Sequence, residues 1–338
     1  MDLIQKTPNL PKRTRRSLSI SETSKFEDFP YDSGCTCCTV HARLSAAIES
    51  YASPRDEYER VLRTYLKDIS DEYSDAIDLS IKQIARKLAE LNNPSLQQVN
   101  DIIVFNLLNN WQENFSEKLK PIIEANIDKA YRRFRKDKSI FRGSKAKVPA
   151  AVLNTTDLRT LEYFADIDEI YLGRFITDQD TKRRITKFIR DQHIAGGFTN
   201  SNLSAFREEF KEVLQGEDWK IARIIATTTN RMRSAASLNY LQQAEIDTFE
   251  IVGINDRLQC PFCRELQGYQ FSVERAMTKL DKVLSDDPNI VGQFSPFVTT
   301  LFKTADEIKS RTPEQLQDLN IDTPPFHPNC RDRIVAVL

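Results

Sequence analysis

The sequence predicts a predominantly α-helical protein of the α+β class, in which long N-terminal helices precede a small C-terminal sheet. Only 9 of its 338 residues are glycine, which disfavours a sheet-rich fold with many glycine turns. Apolar residues recur every three or four positions through the first half, as they do in amphipathic helices. Short segments rich in Phe, Ile and Val, which are typical of strands, lie near the C-terminus.

Composition and charge set the broad class of protein. Hydrophobic residues make up 40% of the chain and charged residues 29%, with a formal net charge of −1. No run approaches the ~20 apolar residues that cross a bilayer, and the first residues lack the apolar segment of a secretory signal. We expect a soluble protein made in a cytoplasm, whose cysteines bind metal or stay reduced rather than form disulfides.

The chain divides into three predicted parts. Residues 1–40 are rich in Ser, Thr and Pro and lack periodicity, which is typical of a mobile tail. Residues 41–198 carry the helical periodicity and are predicted to form a helical module. Residues 199–338 combine helices with strand-like segments and are predicted to form a second domain of mixed α+β structure.

Two long helices open the helical module. Ser53 can act as the N-cap of the first helix, with Pro54 at its first helical position. Apolar residues then form one stripe along residues 58–91, Pro94 interrupts it, and a second stripe follows along residues 99–127. Two such helices joined by a short turn predict an antiparallel hairpin.

The last part begins with helices predicted over about 202–214 and 219–244 and then changes in character. The segment TFEIVGI (248–254) has the composition of a strand, as do the residues after NDRLQCPFCRELQG and the final RIVAVL. The sequence therefore predicts a small sheet near the C-terminus.

Two short motifs in this part indicate a metal site. Cys260 and Cys263 form C-P-F-C, and His327 and Cys330 form H-P-N-C. Each two-residue gap lets a tight turn aim both side chains at one ion, and four such groups suit the tetrahedral preference of Zn²⁺. The simpler alternative is that the cysteines are small core residues and the histidine belongs to a turn. The doubled spacing favours a structural zinc ion that joins the C-terminal strand to the first motif.

A structural ion is favoured over two kinds of active site. Zinc deaminases place a glutamate two residues after the ligand histidine, whereas Asn329 holds that position here. Four protein ligands also leave no open position for water or substrate. A redox C-x-x-C is expected near a βαβ pattern, which the sequence around Cys260 does not show. Because the sequence offers no nucleophile–base pair, carboxylate pair or phosphate loop either, we expect no enzyme activity.

The order of these elements resembles the phage Mu F-like minor head proteins, the head-morphogenesis family. The matching segments, within about residues 200–338, are ATTTNRMRSAASLNYLQQA, FEIVGI, NDRLQCPFCRELQG and PPFHPNCRDR. This chain departs from the family in having Thr229-Asn230 where Thr-Glu is frequent and Phe249 where tryptophan is frequent. It also carries a long insert between Gly268 and Pro324.

This resemblance implies a low-copy protein of the phage head that sits near the portal and assists head assembly and DNA packaging or delivery. Its partners would be portal and capsid proteins, with DNA as a further candidate and no membrane. It would reside in the virion and, during assembly, in the host cytoplasm. The alternative is a zinc-containing nucleic-acid-binding or effector protein that carries a Mu F-like domain.

A basic segment, KAYRRFRKDKSIFRGSKAK (129–147), is the candidate nucleic-acid contact. Its cations could follow a phosphate backbone while its aromatic residues stack on bases. A solvated helix end is the simpler alternative, because Lys and Arg also suit the dipole at a helix C-terminus. The candidate contact residues are Lys129, Arg132, Arg133, Arg135, Lys136 and Arg142.

Two further features leave alternatives open. Cys35, Cys37, Cys38 and His41 could form a second metal cluster, although their tight C-x-C-C spacing is atypical of zinc sites. Exposed thiols, or contacts to another chain, fit the same residues equally well. His193 has no partner motif in the sequence and is interpreted as structural.

Overall fold

The computed structural model describes four long helices, several short ones and a C-terminal sheet. The described residues are 57–91, 95–103, 110–141, 153–174, 187–188, 191, 218–254, 259–286 and 297–338. All of them belong to one compact unit. Several sequence predictions concern residues outside these ranges. They are the tail, the possible second metal site at 35–41, Ser53, Arg142, His193 and the helix expected over 202–214.

Helices α1 (Glu57–Ala89) and α3 (Asn110–Phe134) form an antiparallel hairpin as predicted, but the stripe along 99–127 that was predicted as one helix is divided between α2 (Leu96–Ile103) and α3 in the described residues. Their apolar stripes face each other, with Ile69 and Ile123 almost fully buried. Polar pairs across the interface show the direction, because residue numbers rise along one helix as they fall along the other. These pairs are Glu57 with Arg133, Asp68 with Asn126, and Glu72 with Lys118.

Helices α4 (Thr155–Arg174) and α5 (Asp218–Gln243) pack with this hairpin into a helical layer. α5 is the central element, because it contacts α1, α3 and α4 and also reaches the last strand. The Tyr58 hydroxyl anchors α5 to α1 by donating a hydrogen bond to the Ala226 carbonyl oxygen over 3.2 Å. Nearly all side chains of α5 from 225 to 241 are buried although many are polar, so this helix lacks a clear apolar stripe.

A buried polar network joins α3, α4 and α5. The Arg135 guanidinium lies 3.0 Å from the Asp157 carboxylate and donates a 2.6 Å hydrogen bond to Gln243 Oε1. The Tyr131 hydroxyl and the Asn239 amide also donate to Asp157 Oδ1, over 2.6 and 2.5 Å. The carboxylate is therefore surrounded by donors, which is the condition under which a buried charge is tolerated.

Three antiparallel strands form the sheet, in the order β2-β1-β3. They are β1 (Thr248–Val252), β2 (Gln270–Ser272) and β3 (Arg333–Ala336). Phe249 pairs with Phe271 on one side and with Ala336 on the other. Alternate residues of β1 are buried, as expected for a strand with one covered face. The predicted α+β class and its small C-terminal sheet are thereby confirmed.

Short helices connect the strands. α6 (Pro261–Glu265) lies between β1 and β2, and the described part of the insert contains α7 (Val273–Val283), α8 (Val298–Leu301), α9 (Asp306–Lys309) and α10 (Pro313–Asp318). α7 packs on α5, and α10 contacts β2. Side-chain caps fix the beginnings of two of them, since Ser272 and Thr312 accept hydrogen bonds from the first turns of α7 and α10. No helix in the described ranges is long and apolar enough to cross a membrane.

Candidate metal centre

The first motif forms the start of α6. Cys260 occupies the N-cap position with an extended backbone, and Pro261 takes the first helical position, where its missing N–H is no loss. The backbone N–H of Arg264 donates to the Cys260 carbonyl over 2.9 Å, which closes the first turn. This turn brings the Cys263 thiol beside that of Cys260, and both residues are at least 98% buried.

The second motif is a tight turn. The Cys330 N–H donates to the His327 carbonyl over 3.1 Å, and Asn329 has a φ of 60°. Proline followed by a left-handed Asn is the signature of a type II turn. The His327 ring Nδ1 lies 2.8 Å from the Pro328 carbonyl oxygen, which leaves Nε2 to face the first motif.

The two motifs meet although more than 60 residues separate them. His327 Nε2 lies 3.1 Å from Cys263 Sγ, and Cys263 Sγ lies 3.8 Å from Cys330 Sγ. The ligand atoms of Cys260, Cys263 and His327 are all within 4.8 Å of one another. The four side chains predicted to bind the ion therefore lie in one buried region, in two groups that share Cys263 and are each compact enough to hold a metal ion, Cys330 grouping with Cys263 and Asp332.

Asp332 is a fifth potential ligand that sequence reasoning missed. Its carboxylate lies within 4.8 Å of the thiols of Cys263 and Cys330. The residue is 3% exposed, and within the described part of the chain its Oδ2 has no hydrogen-bond partner. An acidic residue two positions after a cysteine carries no distinctive spacing signal, so only the fold could place it here.

Electrostatic coupling within the cluster favours thiolates. The hydrogen bond from Cys263 and the neighbouring His327 lower the pKa of Cys260 to about 4. Burial works against ionisation of Cys330, but the hydrogen bond from Cys263 and the His327 charge outweigh it and lower the pKa to about 6. Burial alone would lower the pKa of His327, yet the Cys330 and Cys260 charges raise it to about 9. Two of the cysteines are thus ionised at neutral pH, the form that binds metals.

The remaining two acids of the cluster are shifted in the opposite direction. Burial raises the pKa of the Cys263 thiol, and its hydrogen bonds to Cys260 and Cys330 add to this effect. Burial also raises the pKa of Asp332, with the Cys330 charge as a further cause. A cation within the cluster would offset these costs, because it favours the charged form of every surrounding ligand.

Two side chains outside the ligand set fix the backbone around it. Asn230 of α5 donates from Nδ2 to the carbonyl oxygens of Cys330 (2.7 Å) and Asp332 (3.2 Å). Gln267 donates to the Cys263 carbonyl over 3.1 Å and accepts from the Gly253 N–H over 2.6 Å. A Cβ atom on Gly253 would collide with Asp332 and Gln267. A larger residue at this position would therefore displace the side chains that lie beside the cluster.

The cations predicted to bind nucleic acid have different environments. Lys129 and Lys136 are exposed, whereas Arg132 pairs with Asp128 on the same helix and Arg133 pairs with Glu57. Arg135 is fully buried in the network with Asp157, so its guanidinium is not available to a phosphate backbone.

The aromatic residues of the basic segment also face inward. Tyr131, Phe134 and Phe141 are each no more than 1% exposed. The expectation that these rings stack on bases is therefore wrong, because they belong to the core beneath the segment. Their helical spacing suits a core stripe as well as a stacking surface, and the sequence alone did not separate the two.

Comparison with protein-family models, curated proteins and solved structures finds no match for this chain. The chemistry of the cluster is therefore inferred from its own donor atoms, their distances and their burial.

Proposed function

We propose that Cys260, Cys263, His327 and Cys330 hold one Zn²⁺ ion as a structural centre. The observation that carries this proposal is the 3.8 Å separation of the Cys263 and Cys330 sulfur atoms. Zn–S bonds of about 2.3 Å at tetrahedral angles place two sulfurs about 3.8 Å apart. Three thiolates and one imidazole are also the borderline-soft donors that zinc prefers over hard cations.

A structural role fits the surroundings of these residues better than a catalytic one. Four protein ligands complete a tetrahedral shell, and all of them are buried. The bound ion would supply a cross-link between α6 and the segment leading into β3. His327 is oriented for this by the contact of its other ring nitrogen with Pro328, the usual arrangement behind a ligand histidine.

Zinc content tests this centre directly. Purified protein is expected to contain one Zn²⁺ per chain by elemental analysis, and Cys260→Ser and Cys330→Ser should each lose it. Arg132→Gln, which changes an exposed side chain away from the cluster, serves as the control and should retain the ion. Protein that holds no metal, or a Cys260→Ser variant with unchanged metal content and melting, contradicts the proposal.

Asp332 provides the sharpest test of the ligand set. If Cys330 is the fourth ligand, Asp332→Asn keeps one ion per chain, and the Co²⁺-substituted protein shows three thiolates in its charge-transfer absorption. Loss of the ion in Asp332→Asn, with retention in Cys330→Ser, would assign the carboxylate as the ligand in place of the thiolate.

We propose further that the protein is a non-catalytic minor head protein of a phage, which contacts portal or capsid proteins during head assembly. The proposal is supported by the paired motifs at Cys260 and His327, arranged as in the Mu F-like family. A rigid zinc-linked domain joined to a long helical layer suits a protein that holds others in position. Its location would be the virion and, before that, the host cytoplasm.

Particle composition tests this role. Particles from a phage or lysogen that encodes this chain are purified, and their proteins are identified by mass spectrometry, with a portal pull-down as a second measurement. We expect a few copies per particle and binding to the portal. Absence from particles together with no binding to portal or capsid proteins would favour the nucleic-acid-binding or effector alternative, for which Lys129 and Lys136 are the exposed candidate cations.

A further inference from the structure

A second site lies away from the cysteine cluster. A partly open pocket lies between α4, α5, α7 and the bend at Thr323 and Pro324, with about 430 Å³ of empty space when the solvent at its mouth is included. Its wall is mainly apolar, with Phe164, Leu238 and Val283 among the lining residues. None of the potential metal ligands contributes to it, so the cavity is independent of the proposed zinc centre.

Two polar groups of α5 in this cavity have no hydrogen-bond partner among the described residues. These are the Arg231 Nε and the Ser234 hydroxyl oxygen, both of which are buried, and Ser234 is only 5% exposed. In the described part of the chain Arg231 forms no ion pair, and its guanidinium lies 5.7 Å from the centre of the Phe297 ring. Residues three apart on a helix share one face, so both groups project into the same space.

The carboxylates near the cavity do not form an ion pair with Arg231 among the described residues. Asp322 is paired with Lys279. Asp168 lies close enough to influence Arg231, yet its Oδ2 accepts the Tyr65 hydroxyl over 2.6 Å. Arg231 is half-buried, and a buried N–H without an acceptor is costly, a cost that is removed when a ligand supplies the acceptor.

We propose that this cavity binds a small carboxylic acid with a short hydrocarbon body. The carboxylate accepts hydrogen bonds from Arg231 Nε and from the Ser234 hydroxyl, and the hydrocarbon lies on the apolar wall. Arginine is suited to this role because its planar guanidinium matches a carboxylate. A mainly apolar pocket with a few convergent polar groups is the usual form of a small-molecule site.

Octanoate is the probe, and the full-length metal-loaded protein is titrated with it by calorimetry. Saturable binding of one octanoate per chain is expected, whereas octanol, which lacks the carboxylate, should bind at least about tenfold more weakly. The comparison of octanoate with octanol uses only the native chain, so it tests the proposal even where a variant fails to fold. No binding of octanoate at millimolar concentration, or equal binding of octanol, overturns the proposal.

Variants of the lining residues test whether octanoate binds in this cavity. Arg231→Gln should weaken octanoate binding at least about tenfold, and Ala235→Leu should abolish it by filling the cavity. Arg132→Gln, which removes a surface guanidinium instead, should bind octanoate as the native protein does. Without octanoate, Arg231→Gln should melt no lower than the native protein, since it removes a half-buried charge whose Nε has no acceptor among the described residues. A lower melting temperature with unchanged octanoate affinity would show that Arg231 is only structural.

Discussion

Asn230 links the buried polar side of α5 to the candidate metal centre. Its amide Nδ2 donates to the carbonyl oxygens of Cys330 and Asp332, and the residue is fully buried. In the family that the sequence resembles, glutamate is frequent at this position. An ionised carboxylate accepts hydrogen bonds but cannot donate them. Asparagine is therefore the residue that can hold these two carbonyl groups and, through them, the turn that carries Cys330.

Removal of this amide should weaken metal binding without removing a ligand. Asn230→Ala is expected to lower the affinity for Zn²⁺ about 10–100-fold, the usual effect of losing an outer-shell contact. Competition with a chromophoric chelator measures the affinity. Asn126→Ala, at a buried asparagine of the α1–α3 hairpin, is the matched control and should leave it unchanged. Equal affinity in both variants would mean that Asn230 does not position the ligands.

The carboxylate of Asp168 should make stability depend on pH. Burial raises the pKa of Asp168 to about 7, although hydrogen bonds from Thr228 and Tyr65 oppose the shift. An unfolded aspartate ionises near pH ~3.9, so between these values the folded protein binds more protons than the unfolded chain. This contribution to stability is complete below about pH 4 and is lost as the pH rises through about 7.

Urea unfolding at several pH values tests this dependence. As the pH rises from about 4 to above 7, the free energy of unfolding of the native protein should fall relative to that of Asp168→Asn, by an amount on the order of 4 kcal/mol. Asp128→Asn, which changes an exposed carboxylate, should keep the native slope. If the unfolding free energy of Asp168→Asn changes with pH as steeply as that of the native protein, groups other than Asp168 cause the pH dependence.

At the scale of elements, the network around Asp157 stabilises the packing of α3, α4 and α5. Arg135→Met is expected to destabilise the protein by about 3–5 kcal/mol, because it leaves the Asp157 carboxylate buried without its cation. The double variant Arg135→Met/Asp157→Asn should recover much of this loss, since no unpaired charge remains and an amide oxygen can still accept from Tyr131 and Asn239. Chemical unfolding measures both values. If the double variant is no more stable than the single one, the charge pair is not the main contribution.

Elements formed by contacts between residues close in sequence were predicted, whereas contacts between residues distant in sequence were not. The α1–α3 hairpin and β1 were predicted from local periodicity and composition, which record burial on one face. The environment of Arg135 could not be predicted, because its partners Asp157 and Gln243 lie far away in sequence. The proximity of the two cysteine motifs was predicted only because metal chemistry links their spacings. Asp332 has no such spacing signal, so its position beside the thiols could be found only from the structure.

At the scale of the whole molecule, the cysteine cluster joins segments that are otherwise weakly held. β2 has three residues and β3 has four, and a sheet this small buries little apolar surface. Helix α5 supports the sheet from the helical layer, while the cluster fixes the turn before β3 to the start of α6. The helical layer, in contrast, is held by long interfaces such as that between α1 and α3.

Metal removal should therefore loosen the C-terminal sheet before the helices. Zinc contributes on the order of 10 kcal/mol to small domains that depend on it, so chelation is expected to speed amide exchange in β1 and β3 markedly. Exchange in α1 and α3 should change little, because their packing does not involve the cluster. Hydrogen–deuterium exchange with mass spectrometry, with and without chelator, measures this difference. Cys330→Ser without chelator should reproduce the loosened pattern, and chelator should then add nothing. If chelation speeds exchange equally throughout the molecule, or speeds it nowhere, the cluster does not stabilise the sheet.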